Sequence, residues 1–285
     1  MNNQVLSVDH LKKSFGKTEV LHDISLTVSK GEVYGLVGQN GAGKTTLLRL
    51  ITGLMKLTGG NVSIHTEKNY VGYMPQSCRF DGSASVVDTI RFFAVLRNAV
   101  CEKSFSICTK LDLDTAKKVR HLSPGQQKKL QLVIAMTGDP DLYILDEPTA
   151  GLDPNATYEM MAMIKAIQKE GKSILISSHI LQDMDEICTN IVIIEKGNLV
   201  YSRELEGSFV IKTAPISSHK FEALSQKYLL TGNGDRTLLH VKTDRNGISE
   251  LVKALAADSI AVFEVSSSNV KTIVQEQMHI RSGEI

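Results

Sequence analysis

A glycine-rich segment at 38–45, GQNGAGKT, has the residue types and the spacing of a loop that binds phosphate groups. It matches G-x-x-x-x-G-K-[ST], follows the apolar run EVYGLVG and precedes KTTLLRLITGLMK, in which apolar residues recur at helical spacing. Glycines let successive backbone N–H groups face one anion, and the start of the helix adds partial positive charge. We therefore expect this phosphate loop to bind a nucleotide, with Lys44 at the β and γ phosphates and Thr45 on Mg²⁺.

Two adjacent carboxylates, Asp146 and Glu147, follow a second apolar run, LYIL. The run predicts a buried strand that carries Asp146 to the carboxyl end of a parallel sheet, the edge at which α/β proteins bind ligands. Asp146 would hold Mg²⁺ through water, whereas Glu147 would point to the other side of the extended chain and polarise an attacking water as general base. An isolated Asp-Glu-Pro sequence is more often structural, and the upstream phosphate loop favours the catalytic interpretation.

The segment LSPGQ at 122–126 predicts the start of a helix. Ser123 is a favourable N-cap, Pro124 suits the first helical position, and Gln126 completes a capping box. Helix capping alone would explain these residues. Their place in the chain adds a second interpretation, because the phosphate loop, Gln76, LSPGQ, LYILDE, GLD and His179 follow one another in that order.

In this order the segments resemble the motifs of the ATP-binding cassette (ABC) family, the nucleotide-binding subunits of ABC transporters, over about residues 5–204. The resemblance implies an ATP hydrolase that uses ATP and Mg²⁺, with Lys44, Glu147 and His179 catalytic and His179 contacting the γ phosphate. It implies Mg²⁺ ligands at Thr45, Gln76 and Asp146. The nucleotide-binding residues that it implies are Phe15, Gly38, Asn40, Gly41, Ala42, Gly43, Lys44, Thr45, Thr46, Gln76, Ser123, Gly125, Gln126 and Asp153.

Two positions differ from the rest: Phe15 has an alternative interpretation, and Pro124 departs from the family pattern. Phe15 would stack on the adenine ring, since any aromatic face can stack on a base, and ordinary packing is the alternative. Pro124 stands where the family usually has glycine, and because proline lacks an N–H, one donor at this helix start is missing. We expect Ser123 and Gly125 still to bind phosphate, with an altered affinity for ATP.

The resemblance also implies partners for this chain. In the family, each ATP lies between the phosphate loop of one chain and the LSPGQ-type segment of another, so a dimer, in the simplest case a homodimer, is expected. The chain looks most like subunits of antibiotic or lantibiotic exporters, in which separate membrane-spanning permease subunits carry the substrate. A groove near Gln76 and the region 77–121 would then receive a short cytoplasmic helix of the membrane partner.

Hydrophobic periodicity predicts the elements that position these residues. The first thirty residues read as an antiparallel ribbon, and ATYEMMAMIKAIQKEGK lies between the strands DLYILDEP and KSILISSH as a βαβ crossover. The expected fold is α/β, a P-loop NTPase ABC cassette at 1–204 with a mixed sheet, an antiparallel β subdomain and a helical subdomain at about 77–135. No strand is expected between Tyr73 and Leu122. Residues 205–285 predict a small α+β accessory domain of three strands and three helices.

Composition limits the remaining choices. The 285 residues carry 32 Lys and Arg against 31 Asp and Glu, a net charge of +1 that provides no basic field for nucleic acid, so no nucleic-acid partner is expected. Apolar runs fall short of about 18 residues, and the start lacks a signal-peptide pattern, so we expect a cytoplasmic protein. The resemblance to ABC transporter subunits implies that it is peripheral on the cytoplasmic face of the cell membrane. The four cysteines form no CxxC pair, and reduced thiols are expected.

Two other functions share the same ATP chemistry. One is a soluble ABC ATPase of translation or DNA repair. Translation-type members usually join two cassettes and repair-type members insert long coiled coils, and neither feature occurs in this sequence. The other is an importer ATPase, which differs in the direction of transport.

Overall fold

The computed structural model describes residues 3–66, 71–204 and 208–267, and the chain divides into two compact units, Met1–Ser202 and Arg203–Ile285. In chain order the helices and strands of the first unit are β1 (Gln4–Phe15), β2 (Thr18–Ser29), β3 (Val33–Val37), α1 (Lys44–Ile51), β4 (Gly59–Ile64), β5 (Gly72–Met74), α2 (Val86–Leu96), α3 (Glu102–Lys110), a 3₁₀ turn (Val119–His121), α4 (Pro124–Met136), β6 (Leu142–Asp146), α5 (Pro154–Lys169), β7 (Ser173–Ser178), α6 (Leu181–Asp185), β8 (Asn190–Glu195) and β9 (Asn198–Glu204).

Two sheets build the first unit. Strands β2, β1 and β4 form an antiparallel sheet, which confirms the predicted ribbon at the start of the chain. The second sheet has the order β5-β6-β7-β3-β8-β9, and its first five strands run parallel, as expected of the βαβ crossover through α5. The predicted α/β fold with a mixed arrangement of sheets is thereby confirmed. The carboxyl ends of β3, β6 and β7 share one edge of this sheet.

One hydrophobic core joins the two sheets and α1. Residues of β1, β2 and α1, including Leu11, Ile24 and Leu48, are fully buried with Ile144 of β6 and Leu175 of β7. The central strands β6 and β7 are buried on both faces, which explains why they read as continuous apolar runs rather than alternating patterns. The packing fixes the strand ends that carry the polar residues.

Two elements differ from the sequence prediction. The helix after the phosphate loop ends at Ile51, earlier than the apolar pattern to Lys56 indicates, because the Thr52 hydroxyl donates to the Leu48 carbonyl and Gly53 adopts a left-handed φ of 73°. The region after Tyr73 was expected to lack a strand, but β5 includes Tyr73 and Met74. This strand has only three residues, too few to show a period of two.

The second unit contains β10 (Ser208–Thr213), α7 (Ser218–Lys227), β11 (Leu229–Gly232), β12 (Leu238–Lys242), α8 (Arg245–Ala257) and β13 (Val262–Ser267). Its antiparallel sheet has the order β11-β12-β10-β13, the βαββαβ arrangement of ferredoxin-like domains. A separate core of Ile211, Leu239, Leu251 and their neighbours lies beneath the helices. The sequence pattern missed the four-residue strand β11, and the predicted last helix lies outside the described residues.

In the part of the chain that the structure describes, no helix combines the length and apolarity needed to cross a bilayer.

Candidate functional site

A pocket of about 350 Å³ opens at the edge of the parallel sheet where β3 passes through the phosphate loop into α1. It brings together most of the predicted loop residues with Gln76 and Glu147, which come from distant parts of the sequence. The residues that line it are Val20, Gln39, Asn40, Gly41, Gly43, Lys44, Thr45, Thr46, Gln76 and Glu147. A concave site at the carboxyl ends of parallel strands is where α/β proteins bind phosphate-containing ligands.

The phosphate loop is closed around the ammonium of Lys44. The Nζ atom donates to the carbonyls of Gly38 at 2.6 Å and Gln39 at 3.3 Å, and lies 3.8 Å from Oε1 of Glu147. Gly43, the residue before α1, has φ of 108°, and a Cβ atom there would lie 2.6 Å from Leu21 Cδ2. Only glycine therefore fits this position, which explains one of the fixed glycines of the pattern.

Asp146 ends β6 in full burial, paired in register with Ser177 of β7. The Ser177 hydroxyl donates to Asp146 Oδ1 at 2.7 Å, while Oδ2 is buried and has no hydrogen-bond partner among the described atoms. A buried carboxylate oxygen without a donor costs free energy unless something else satisfies it. A divalent cation with its water ligands is chemically suited to do so.

The residues predicted to hold Mg²⁺ supply hydroxyl, amide and carboxylate oxygens, the hard ligands that Mg²⁺ prefers. Thr45 and Gln76 line the pocket, and Asp146 ends the strand that leads to it. Among residues 3–66, 71–204 and 208–267, no group of three or more His, Cys, Asp or Glu could hold a metal alone. This donor set fits an ion whose remaining ligands are nucleotide phosphates and water.

Glu147 is held from both ends in an unusual backbone conformation. Its φ is 49°, in the left-handed region that non-glycine residues seldom adopt, and its N–H donates to the carbonyl and hydroxyl oxygens of Ser177. The side chain is 4% exposed, and its Oε2 lies 2.7 Å from Nδ1 of His179. Backbone strain of about 1–3 kcal/mol persists only where surrounding contacts fix it, and it concentrates at functional sites.

Ser123, Gly125, Gln126 and Asp153 do not line the pocket of their own chain. Ser123 and Gln126 form the predicted capping box at the start of α4, with Pro124 at the first helical position. Asp153 caps α5 by accepting from the Ala156 N–H at 2.9 Å. These residues stand at helix starts, and their contact with ATP stays a prediction.

The predicted residues Phe15, Gly38 and Ala42, like Asp146 and His179, do not line the pocket. Phe15 ends β1 with its side chain half exposed and the Lys13 ammonium 4.8 Å from its ring centre. Gly38 and Ala42 belong to the phosphate loop and contact Ile194 and Gly197, respectively. A Cβ on Gly38 would lie 2.4 Å from the Ile194 carbonyl, and the Ala42 carbonyl accepts from the Gly197 N–H.

Besides Val20 and Gln39 of the pocket lining, two residues that were not predicted from the sequence contact the site. Ser177 forms hydrogen bonds with both Asp146 and Glu147. Its place at the carboxyl end of the strand beside LYILD is a sequence signal that could have identified it as a site residue. Lys128, on α4, donates to the carbonyls of Gln76 and Glu147, and no local pattern predicts contacts so distant in sequence.

Comparisons with known proteins agree with this geometry. The family described as ABC transporter matches residues 21–150. The Nod factor export ATP-binding protein I of Cupriavidus pinatubonensis is 34% identical over 69% of this chain and 65% of its own length. A lantibiotic transport ATP-binding protein of Streptococcus pyogenes is 31% identical over 72% of this chain and 93% of its own.

A solved structure described as the ATP binding subunit of an ABC transporter superposes with a TM-score of 0.65. It is 28% identical in sequence, and the match covers 71% of this chain and 90% of that one. The phosphate loop and the strand-end carboxylates agree with the family of these relatives. The chain belongs to the ABC transporter ATP-binding proteins, as an ATP-binding and ATP-hydrolysing subunit.

Proposed function

We propose that this subunit hydrolyses Mg²⁺-bound ATP in the phosphate-loop pocket, in a dimer, and that it powers export through separate membrane-spanning chains. The observation that carries the catalytic part is the convergence of Lys44, Gln76 and Glu147 on one pocket of about 350 Å³. An ammonium and backbone N–H groups stabilise phosphate charge, while a buried carboxylate faces the position of an attacking water.

Each residue has a distinct role in the proposed reaction. Lys44 exchanges its loop carbonyls for the β and γ phosphate oxygens, and Glu147 orients water and accepts its proton. His179, already bonded to Glu147, turns toward the γ phosphate. Bound Mg²⁺ supplies electrostatic stabilisation of the phosphates, and Thr45, Gln76 and Asp146 would hold it. Phe15 would stack on the adenine at the open side of the pocket.

The proposal of a dimer is supported by predicted nucleotide-binding residues that do not line the pocket of their own chain. Ser123, Gly125 and Gln126 lie at the start of α4, where the positive end of the helix dipole attracts anions. A second copy would present these residues, with Asp153, to the ATP held by the first. Closure would then require ATP in both pockets, and hydrolysis would release the pair.

A groove on the helical region supports the proposal of a membrane partner. It has a volume of about 530 Å³, and Phe80, Phe92 and Phe93 line it together with Arg79 and Asp81. Phe93 makes edge-to-face contacts with both Phe80 and Phe92. Aromatic grooves rimmed by charge receive short amphipathic helices of partner proteins.

Exposed apolar side chains extend this surface along α2 and the turn that follows it. Phe92 is 59% exposed, Val95 79% and Val100 75%. The names of the Nod factor and lantibiotic relatives favour export as the direction of transport. The substrate would be selected by the membrane chains.

A charged substitution in the groove tests this assignment. Phe92→Glu should greatly reduce co-purification with the membrane chains and leave ATP binding unchanged, because Phe92 does not line the phosphate-loop pocket. Leu54→Glu is the matched control, since Leu54 is 67% exposed in the turn after α1. Equal membrane association of both variants, or salt-sensitive binding to ribosomes or DNA, would contradict the proposal. Identifying the bound membrane chain separates exporter from importer.

A further inference from the structure

Lys128 connects three segments of the site through one ammonium group. It lies on the second turn of α4, the helix that begins at the LSPGQ segment. Its Nζ donates to the carbonyl of Gln76 at 2.8 Å and to the carbonyl of Glu147 at 3.1 Å. These acceptors are 52 and 19 residues away in sequence.

The Glu147 carbonyl is the part of that residue which Ser177 does not hold. Ser177 fixes the N–H side of Glu147, and Lys128 with the Ala150 N–H fixes the carbonyl side. The left-handed φ of Glu147, and with it the direction of its carboxylate, depends on both sides. A movement of Lys128 therefore also moves Glu147.

The environment of Lys128 suits a fixed donor rather than a surface lysine. The side chain is partly buried, and burial lowers its pKa while the charges of Asp146 and Glu147 act in the opposite direction. An ammonium has three donors, and two of them are directed at the carbonyls of Gln76 and Glu147.

We propose that Lys128 is a positioning residue that couples the two ATP sites of the dimer. This inference rests on the proposed function, in which Ser123–Gln126 contact the partner's ATP. Lys128 follows that segment on the same rigid helix. ATP that is bound in the partner's pocket and contacts the start of α4 therefore also fixes the positions of Glu147 and Gln76 of this chain. The coupling makes hydrolysis in one pocket depend on occupancy of the other.

The test compares Lys128→Met and Lys128→Arg in the full chain. Misplacing a catalytic group by about 1 Å can cost 10²-fold, so Lys128→Met should lower kcat roughly 10- to 100-fold. KM should stay within about twofold, because the phosphate contacts remain. The Hill coefficient for ATP should fall toward 1. Lys128→Arg, which keeps two donors on a long side chain, should restore most of kcat and of the cooperativity.

Lys129→Met is the matched control. Lys129 is the next residue of α4, is also partly buried, donates to the Leu111 carbonyl and forms an ion pair with Glu159 away from the pocket. Its loss should lower the melting temperature but leave kcat and the Hill coefficient unchanged. Lys128→Gln provides a second, milder variant in case the methionine variant fails to fold.

Two results would overturn the coupling role. One is a kcat and Hill coefficient for Lys128→Met or Lys128→Gln equal to those of Lys129→Met. The other is a loss of kcat with cooperativity intact and no rescue by arginine. Lys44→Ala and Glu147→Gln are measured in parallel. If both of these keep wild-type turnover, the proposed ATP site itself is wrong, whereas their inactivity beside an active Lys128→Met rejects only the inference.

Discussion

At the scale of single residues, Glu147 combines burial, backbone strain and contact with two other catalytic candidates. Its carboxylate lies 2.7 Å from the His179 ring and 3.8 Å from the Lys44 ammonium. Its sequence position beside Asp146 suggested that the two carboxylates face different ways. In the structure, Ser177 contacts the two residues differently. Its hydroxyl donates to the Asp146 carboxylate and accepts from the backbone N–H of Glu147.

Replacing Glu147 with glutamine should separate binding from hydrolysis. A general base contributes about 10²–10⁴-fold to a rate, so Glu147→Gln should lower kcat by that factor. Glutamine keeps the size and a hydrogen bond to His179, so ATP should still bind and hold a stable dimer. Turnover assays and size-exclusion chromatography with ATP measure both effects.

Glu102→Gln is the control for this substitution, because Glu102 is an exposed residue in the first turn of α3. It should behave as wild type. Wild-type turnover in Glu147→Gln would reject the assignment of the base.

At the scale of elements, a cluster of charges joins α3 to the segments that follow α4 and α5. Asp139 accepts from Lys103 at 2.9 Å and from Lys172 at 3.0 Å, and Lys103 also pairs with Glu170. Burial would raise the pKa of Asp139, but the hydrogen bonds and charges of both lysines outweigh burial and lower the pKa to about 2. The helical region is thereby tied to the start of β6.

The lowered pKa gives this cluster a defined pH dependence. A carboxyl whose pKa falls on folding stabilises the fold above its unfolded value of about 4, and that contribution is lost as the pH falls from about 4 to about 2. Asp139→Asn should lower the free energy of unfolding at pH 7 by about 1 kcal/mol or less, since the carboxylate is partly exposed. Asparagine tolerates the left-handed φ of 55° at this position.

Urea unfolding at several pH values measures the difference between Asp139→Asn and wild type. The difference should shrink between pH 4 and pH 2. Asp112→Asn is the control, because Asp112 is exposed and has a similar φ of 50°. A destabilisation of the same size in both variants would show that the lysine cluster contributes nothing specific.

At the scale of the whole molecule, the described residues of the two units form separate hydrophobic cores. The core of the first unit combines α1 with strands of both sheets, and the core of the second unit is built from residues between 209 and 262. Because the pocket belongs to the first unit, ligand binding should stabilise that unit by mass action.

A cavity in the second core tests this separation. Leu251 is fully buried there, so Leu251→Ala should destabilise the second unit by about 2–5 kcal/mol. Calorimetry with and without ADP and Mg²⁺ should show the same ligand-induced shift as wild type in the first unit. Leu229→Ala, at a 73% exposed position of the same unit, should leave both transitions unchanged. A change in nucleotide affinity caused by Leu251→Ala would contradict separate roles for the cores.

The sequence by itself determined the α/β character, the phosphate loop and the strand that ends at Asp146, because these depend on local patterns. The ABC cassette was implied by the order of the motifs, which resembles that family. Glycine spacing, capping residues and continuous apolar runs act within one segment of the chain. The small α+β character of the second unit was also predictable, although the four residues of β11 carried too little periodicity to be recognised.

Only the tertiary structure decided which distant residues meet. The contacts of Ser177 with Asp146, and of Lys128 with Gln76 and Glu147, depend on strand order and helix packing, which leave no trace in local spacing. The left-handed conformation of Glu147 likewise depends on hydrogen bonds formed after the strands pack. Sequence patterns record what each segment prefers, whereas the geometry of a site arises from long-range contacts between segments.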